Sequence, residues 1–291
     1  MPSTNTIDLE AREPIVYKNS YVAFLDILGF KELVFSKESE AKEKIERYLG
    51  IVDSTINYLK NIPEKQMSGL EYIVISDSII LSVPCSESQE KSQEENLEKL
   101  RHLCVAIAQL QYHLAIKDIW LRGAICYGET YINESKHQII GKAYIEAYNL
   151  ESLATYPRVI LDKKIIKQLK YTNAQELVKA INTHTFDNWD KDILFDWSNY
   201  IYKPHANLLM NRNNFTNYTY QYFTKDIPLF IHYLDFQKHY KSIKLKEYTE
   251  NITDNIIKNT KKYKSDEKIY PKHKWIDEYF SLKDNKDIFI S

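Results

Sequence analysis

Two aspartates in the first third of the chain occupy positions where a carboxylate needs a chemical reason. Asp26 interrupts an apolar run, Tyr21 to Phe30, that otherwise predicts a buried strand ending at a glycine. Burying a carboxylate is costly unless it is paired with a cation or binds a metal ion. Asp77 lies between two β-branched runs within Glu71 to Pro84, a pattern that predicts a tight hairpin with Asp77 at its tip.

The elements that would position these aspartates alternate along the first half of the chain. Apolar residues recur at helical spacing over Ser36 to Lys60 and Glu95 to Leu114, and a shorter amphipathic helix is predicted over Gly141 to Ala154. Further strands are predicted over Asp118 to Tyr127 and Arg158 to Leu161. The order is β-α-β-β-α-β with one more helix and strand. It predicts an α+β, ferredoxin-like core whose antiparallel sheet carries helices on one face.

In this topology the hairpin lies against the first strand, so Asp26 and Asp77 are expected to converge. Two carboxylates that bind divalent cations form a two-metal site suited to in-line attack on a phosphate. Asp77 also has a structural explanation, because aspartate between two serines is a common turn sequence. Asp26 is harder to explain in that way, since it lies inside an apolar run.

Bulk composition narrows the class of protein. The apolar (44%) and charged (27%) fractions are those of an ordinary globular protein. The formal net charge of −1 gives no electrostatic reason to expect a nucleic acid or a membrane as partner. No 18 consecutive residues are apolar, and the polar N-terminus lacks the pattern of a signal peptide. Three widely spaced cysteines, Cys85, Cys104 and Cys126, favour reduced thiols in a cytoplasmic protein.

Glycine placement excludes the common phosphate-binding loops. All six glycines lie in the first half of the chain, and none forms a GxGxxG pattern. The spacing of Gly123 and Gly128 approaches that of a P-loop, but Glu129 follows where a lysine is required. Any bound triphosphate would therefore be held mainly by metal ions and side chains.

Four segments, in matching order and spacing over about residues 20 to 165, together resemble one known family. They are FLDILGF (Phe24 to Phe30), ISDSIIL (Ile75 to Leu81), LRGAICYG (Leu121 to Gly128) and GKAYIEAYNLESLA (Gly141 to Ala154). The first three resemble the successive core motifs of class III nucleotidyl cyclases, and the fourth resembles their catalytic helix. The chain looks most similar to the stand-alone bacterial pyrimidine cyclases of Pycsar antiphage systems.

The resemblance implies both a reaction and a cofactor. It implies that Asp26 and Asp77 hold two Mg²⁺ or Mn²⁺ ions, with the backbone carbonyl of Ile27 as a further ligand. The ribose 3′-oxygen of a nucleoside triphosphate would attack the α-phosphorus, and pyrophosphate would leave. The implied substrate is UTP and the product 3′,5′-cyclic UMP, a second messenger that would reach an effector in antiphage defence.

Three departures from the family pattern bear on the choice of base. Purine cyclases carry an adenine-reading lysine where this chain has Ile73, and the catalytic helix has Ile145 and Asn149 where an asparagine and an arginine are usual. The missing lysine favours a pyrimidine substrate. The alternatives are CTP as substrate, a purine cyclase with an altered pocket, or a catalytically inactive module that binds a nucleotide.

Arg122 is the best candidate for the missing cationic role. It lies within a predicted strand, where its charge needs a partner, and its planar guanidinium suits a phosphate. The alternative is a salt bridge to a local carboxylate such as Glu129. Asn149 is the second candidate for a catalytic side chain.

Four further residues of the Gly141 to Ala154 helix are candidates to bind the substrate. The candidates that would line the pocket, or simply form the polar face of the helix, are Tyr144, Glu146 and Tyr148. Lys142, near the start of the helix, is a candidate to meet phosphate.

The resemblance also implies a head-to-tail homodimer with its sites across the interface. Each site would combine Asp26 and Asp77 of one chain with Arg122 or the Gly141 to Ala154 helix of the other.

The C-terminal part differs in composition from the rest of the chain. We expect an N-terminal extension over residues 1–19, a catalytic core over 20–175 and a mainly helical elaboration over 176–291. A helical stretch is predicted from Leu234 to Tyr263. Between Lys238 and Lys274 there are eleven lysines against five acidic residues, a pattern typical of a solvated basic helix surface.

Overall fold

The sheet of this protein is built around one central strand, β1, in a computed structural model that describes residues 14–60, 69–87, 92–183, 209–211, 229–231 and 243–284. The strands are β1 (Lys18–Ile27), β2 (Glu71–Ile75), β3 (Ser78–Pro84), β4 (Leu121–Asn133), β5 (Gln138–Gly141), β6 (Val159–Leu161), β7 (Leu209–Asn211) and β8 (Leu229–Ile231). The helices are α1 (Phe30–Phe35), α2 (Ser39–Lys60), α3 (Ser92–Ala115), α4 (Lys142–Ala154), α5 (Lys164–Gln168), α6 (Ala174–Thr183), α7 (Ile243–Lys262) and α8 (Tyr270–Asp284).

The strand order confirms the predicted β-α-β-β-α-β core. The sheet runs β2-β3-β1-β4-β6-β8-β7, with β5 paired to β4. The pairs β2–β3, β3–β1 and β1–β4 are antiparallel, and β6 joins β4 in parallel. The parallel pair follows from the crossover through α4, because a helix returns the chain to the same end of the sheet.

Strand β1 is buried on both faces, and each face packs against different helices. Its odd-numbered residues, such as Tyr21 and Leu25, join α2 and α3 in the largest apolar cluster. Its even-numbered residues Val22 and Phe24 pack with Ala143 and Ala147 of α4. The helices of the β-α-β-β-α-β unit therefore lie on one face as predicted, and α4 covers the opposite face.

Close packing between β1 and β4 fixes their register. Gly123 pairs with Leu25, and a Cβ at Gly123 would collide with the carbonyl oxygen of Phe24. The same register places Arg122 directly opposite Asp26. A one-residue slip would send every side chain of β1 to the other face, so the apolar pattern holds this pairing in place.

The C-terminal helices α7 and α8 pack on the α4 side of the sheet. Ile252 and Ile256 of α7 and Trp275 of α8 share an apolar cluster with Ala124 of β4 and Ile160 of β6.

An aromatic stack holds α8 in this cluster. Trp275 lies between Tyr156 and Tyr279, with ring centroids 5.4 and 4.9 Å away and ring planes within 10° of parallel. The buried guanidinium of Arg158 lies 5.9 Å from the Trp275 ring and donates a hydrogen bond to the carbonyl of Ala154. Stacked rings of this kind contribute to stability beyond their buried area.

Helix α7 is tied to the core through Asp118. The amide of Asn259 donates to one oxygen of Asp118, while Lys44 of α2 donates to the other at 2.6 Å. The indole of Trp120 also donates to Asp118, at 2.9 Å. One carboxylate thus joins α2, the start of β4 and α7.

The predicted boundaries agree with the structure at most elements. The hairpin turns at Ser76 and Asp77 as predicted, and the two long helices of the core lie within a few residues of their predicted ends. Helix α7 covers Ile243–Lys262 of the predicted Leu234 to Tyr263 stretch, and residues 234–242 of that stretch lie outside the described residues. Helix α8 was not predicted, although Pro271 near its start is a typical helix N-terminal signal.

Two other expectations concern the cysteines and membrane-spanning helices. The three cysteines are free, with Cys104 and Cys126 buried and Cys85 partly exposed. Among the helices of the described residues, none combines the length and apolar character that crossing a membrane requires.

We expect Trp275→Ala to lower the free energy of unfolding by about 3–5 kcal/mol, since it removes the middle ring of the stack and leaves a cavity. Denaturant unfolding followed by circular dichroism measures the loss. Phe35→Ala is the control, because the Phe35 side chain is 75% exposed. Equal effects of the two substitutions would contradict a stabilising role for the stack.

Candidate active site

Asp26 forms an ion pair with Arg122 across the β1–β4 ladder. The Nη2 of Arg122 donates to Oδ2 of Asp26 at 3.2 Å, and both side chains are about four-fifths buried. The predicted need of each charge for a partner is therefore met by the other. The alternative for Arg122, a salt bridge to a carboxylate, is therefore present in the structure, but Glu129 is the wrong partner, because it is bound to Lys142 at 2.8 Å.

A second carboxylate, Glu151 of α4, contacts the same guanidinium. Its Oε1 forms an ion pair with the Nε of Arg122, and its side chain is buried between α4 and the sheet. Glu151 faces the sheet because Ala143, Ala147 and Ala154 form the same buried stripe of α4. Arg122 is thus held from two sides, by a strand and by a helix.

Asp77 reaches the same place from the β2–β3 hairpin. The turn begins at Ser76, whose φ of 58° is in the left-handed region, and the hydroxyl of Tyr48 donates to the Ser76 carbonyl at 3.1 Å. Because β3 pairs directly with β1, the turn ends at Ser78 opposite Asp26. The expected convergence of Asp26 and Asp77 is present in the structure.

Electrostatics at this site reflect crowded carboxylates. Burial raises the pKa of Asp26, and the nearby charge of Asp77 raises it further, while Arg122 acts in the opposite direction. Burial likewise raises the pKa of Glu151, with Arg122 opposing it and Asp26 adding to it. Carboxylates whose ionised forms are disfavoured in this way gain stability from an added cation.

The residues fit a site for divalent cations. Asp26 and Asp77 offer hard oxygen donors, the type that Mg²⁺ and Mn²⁺ prefer. Within the described part of the chain, Asp77 has no cationic side chain within ion-pair distance. Ile27 contributes its side chain to the main apolar core, so only its backbone carbonyl could serve as a ligand.

Three of the predicted helix residues lie away from Asp26 and Asp77 of the same chain. Lys142 is paired with Glu129, and Glu146 accepts a hydrogen bond from Lys164 at 2.6 Å. The side chain of Asn149 is exposed on the outer face of α4. The single chain therefore does not bring these residues to the two aspartates.

Tyr144 and Tyr148 lie on the sheet beside β1. Their ring centroids are 6.2 and 5.2 Å from the ring of Phe24, which precedes Asp26 by two residues. Tyr144 is partly buried, whereas 55% of Tyr148 remains exposed. They form an aromatic surface near the site rather than a direct contact with its carboxylates.

Arg122 contacts Asp26 of its own chain. Of the two groups expected from the other chain of a dimer, Arg122 or the Gly141 to Ala154 helix, Arg122 is thus already beside Asp26 within one chain. Helix α4, in contrast to Arg122, could still contribute to a site of another chain, because its outward residues Ile145 and Asn149 are exposed in the single chain.

Sequence reasoning missed two charged residues of the site, Glu151 and Lys272. Glu151 follows Ala147 by four residues and therefore lies on the same buried face of α4. That spacing from a small residue was the available signal. Lys272 is part of α8, and the electrostatic influence of Arg122, Asp26 and Glu151 reaches its ammonium group.

A separate group of ligand-type atoms lies farther along the sheet. The Sγ of Cys126 and carboxylate oxygens of Glu146 and Asp162 lie within 4.8 Å of one another. The ammonium of Lys164 contacts Glu146 at 2.6 Å and Asp162 at 4.0 Å. Lysine thus already supplies a positive charge to this group.

Comparison with known proteins gives matches among solved structures only. No protein-family model matches the chain, and no curated protein matches it. The adenylyl cyclase CyaB from P. aeruginosa is 17% identical, over 54% of this chain and 83% of that one, with a TM-score of 0.37. The guanylyl cyclase Cya2 is 14% identical, over 60% and 85%, with a TM-score of 0.40. A bacterial light-regulated adenylyl cyclase is 14% identical, over 84% and 58%, with a TM-score of 0.39. All three TM-scores are below 0.5, so these likenesses do not establish a function for this chain.

We expect Glu151→Gln to flatten the pH dependence of stability. The pKa of Glu151 is raised above its ordinary value of 4.5 in the folded chain, so the native state binds more protons than the unfolded state just above that pH. The free energy of unfolding of the wild type should then fall as the pH rises above 4.5, and the glutamine variant removes this contribution. Urea unfolding across that range measures the slope. Glu43→Gln is the control, because its side chain is 59% exposed, and an unchanged slope in Glu151→Gln would contradict the burial of this charge.

Proposed function

We propose that this chain is a nucleotidyl cyclase, which closes a nucleoside triphosphate into a 3′,5′-cyclic monophosphate and releases pyrophosphate. The observation that carries the proposal is the convergence of Asp26 and Asp77 from adjacent strands, beside a buried arginine. The strand order supports it, because β3 pairs directly with β1 and brings the hairpin turn next to Asp26.

Each residue of the site has a specific part in such a reaction. Bound divalent cations would activate the ribose 3′-hydroxyl and neutralise the phosphates. Asp26 and Asp77 would hold them. Once Asp26 directs its oxygens to a cation, Arg122 loses one partner but is still oriented by Glu151. The freed guanidinium nitrogens can then donate to a phosphate, where a planar bidentate donor is effective.

UTP is the proposed substrate. Ile73, at the position of the adenine-reading lysine, is buried in the apolar cluster beneath α4 and offers no polar group to a base. A site without that lysine loses a purine-specific hydrogen bond, which favours a smaller base. CTP is the alternative pyrimidine. The role of the product as a signal to an effector in antiphage defence rests on the sequence resemblance.

A second candidate function is nucleotide binding without turnover. The ion pair between Arg122 and Asp26 favours it, because a bound arginine competes with a cation for the same carboxylate. The usual asparagine and arginine of the catalytic helix are also replaced, by Ile145 and Asn149.

We further propose a homodimer in which α4 of one chain covers the aspartates of the other. Support comes from the outer face of α4, where Ile145 and Leu153 are each more than half exposed, and from Tyr148 at its edge, which is 55% exposed. Asn149 lies on that face and is free to act across an interface. An exposed apolar strip of this kind is typical of a protein contact surface.

The reaction is tested by incubating the purified protein with each of the four ribonucleoside triphosphates and Mn²⁺. We expect cyclic UMP and pyrophosphate, identified by mass spectrometry. Asp77→Ala should reduce turnover by at least about a hundredfold, the scale of losing a positioned charge at a reacting centre. Its melting temperature should remain close to that of the wild type, because Asp77 lies in a turn and is only partly buried. Cyclisation of purines alone would contradict the choice of base, and no cyclic product from any substrate would contradict the cyclase.

The dimer is tested by mixing two inactive variants, Asp77→Ala and Asn149→Ala. Random exchange of subunits gives half mixed dimers, each with one intact site, so about a quarter of wild-type activity should return. Each variant alone serves as the control. If mixing restores nothing while mass spectrometry shows mixed dimers, α4 does not act across the interface.

A further inference from the structure

A cavity of about 510 Å³ lies between the segment that follows β1 and the C-terminal helices. One wall is formed by Leu28 and Gly29, which follow directly after the strand that carries Asp26. The opposite wall is formed by α7, α8 and the turn between them. The cavity therefore connects the end of β1 to a part of the chain that the cyclase motifs do not include.

Five lysines line this cavity, and most have a partner. They are Lys44, Lys258, Lys262, Lys268 and Lys272. Lys44 is bound to Asp118 at 2.6 Å and Lys258 approaches Glu40 at 3.6 Å. Lys262 lies over the ring of Tyr263, 5.2 Å from its centroid. Of the C-terminal lysines in this set, Lys258, Lys262 and Lys268 are exposed, as expected of a solvated surface, whereas Lys272 is partly buried. Carboxylates line the same cavity, namely Glu32, Glu38, Glu40, Asp118 and Asp266.

Lys272 differs from the others in its environment. It is partly buried, and among the described residues no carboxylate lies within 4.0 Å of its ammonium nitrogen. Burial lowers the pKa of Lys272, and the charge of Arg122 lowers it further. Glu32, Asp26, Glu151 and Asp266 interact electrostatically with the ammonium group without forming an ion pair with it.

The position of Lys272 in α8 is also unfavourable for a cation. It lies in the first turn of the helix, where the macrodipole disfavours positive charge, and that turn contains no acidic residue. A partly buried, unpaired lysine at the positive end of a helix gains stability from a bound anion. Lys272 lines the cavity together with Gly29, and the charges of Asp26 and Arg122 act on its ammonium group, so this wall of the cavity is the one nearest the candidate site.

We propose that Lys272 binds the terminal phosphates of the nucleotide, so that the C-terminal helices complete the triphosphate site. This inference rests on the proposed cyclase function. The terminal phosphates become the leaving pyrophosphate, so Lys272 would hold the leaving group. Arg122 and Lys272 would then act on opposite ends of the phosphate chain, Arg122 close to the aspartates and Lys272 in the cavity. No phosphate-binding loop is present in the sequence, and a cation from α8 supplies what that loop would otherwise provide.

The test is binding of inorganic tripolyphosphate to the full chain, measured by isothermal titration calorimetry in the presence of Mn²⁺. We expect Lys272→Met to weaken binding at least about tenfold, the scale of one charge-assisted hydrogen bond. Lys274→Met is the matched control, because Lys274 lies on the same helix and its ammonium approaches Glu278 at 3.6 Å. It should bind as the wild type does.

The outcomes separate this inference from the cyclase proposal. If Lys272→Met binds tripolyphosphate as tightly as the control, or the wild type binds none, the role of Lys272 is overturned whatever the cyclase activity. If tripolyphosphate binding depends on Lys272 but no nucleotide is cyclised, the inference stands and the cyclase proposal fails. Circular dichroism and the melting temperature of each variant establish that α8 remains folded. Where cyclisation occurs, Lys272→Met should also raise the KM for the nucleotide, and an unchanged KM would contradict direct phosphate contact.

Discussion

The alignment of the central strands and the position of the candidate site both depend on a charged pair in an apolar sheet. Asp26 and Arg122 face each other across β1 and β4, where neither charge could be buried alone. Their position depends on a register that Gly123 allows by close backbone approach and that the apolar alternation of β1 enforces. The sheet therefore stabilises a site at its centre, and the site in turn tolerates only one alignment of the strands.

The face of the sheet that α4, α7 and α8 cover carries both the charged residues of the site and much of the apolar packing. Helix α4 covers the inner half of that face with small residues, which lets Glu151 reach Arg122. Helices α7 and α8 cover the neighbouring part through aromatic and aliphatic packing. Both the buried Glu151 and the unpaired Lys272 reduce the stability of the isolated chain, since their charged forms are disfavoured by burial. Such costs are common where a protein is arranged to bind a charged ligand.

The sequence allowed those parts of the site to be predicted that depend on local pattern. Asp26 stood out because it breaks an apolar run, and Asp77 because it lies at a hairpin tip, and both expectations depended only on short-range spacing. The partners of Arg122 could not be predicted in this way, because the 96 residues between it and Asp26 give no information on register. Glu151 could not be distinguished from its helical neighbours until the buried stripe of α4 was known.

The C-terminal region illustrates a different limit on prediction. Its lysines have the composition of a solvated surface, and their direction depends on how α7 and α8 dock. That docking relies on Asp118 and on the rings around Trp275, which belong to distant parts of the chain. Helix α8 itself has a weak periodic pattern, because aromatic rings rather than a continuous aliphatic stripe attach it.

The aromatic stack that holds α8 has a kinetic consequence. Helix α8 is attached to the sheet by side-chain packing and shares no backbone hydrogen-bond ladder with it, so α8 can detach as a local unit without unfolding of the sheet. Detachment would remove one wall of the cavity and leave the strands that carry the aspartates unchanged. Any molecule that contacts Lys272 would lose that contact whenever α8 detaches, so its residence time would depend on the strength of the stack around Trp275 as well as on its own contacts.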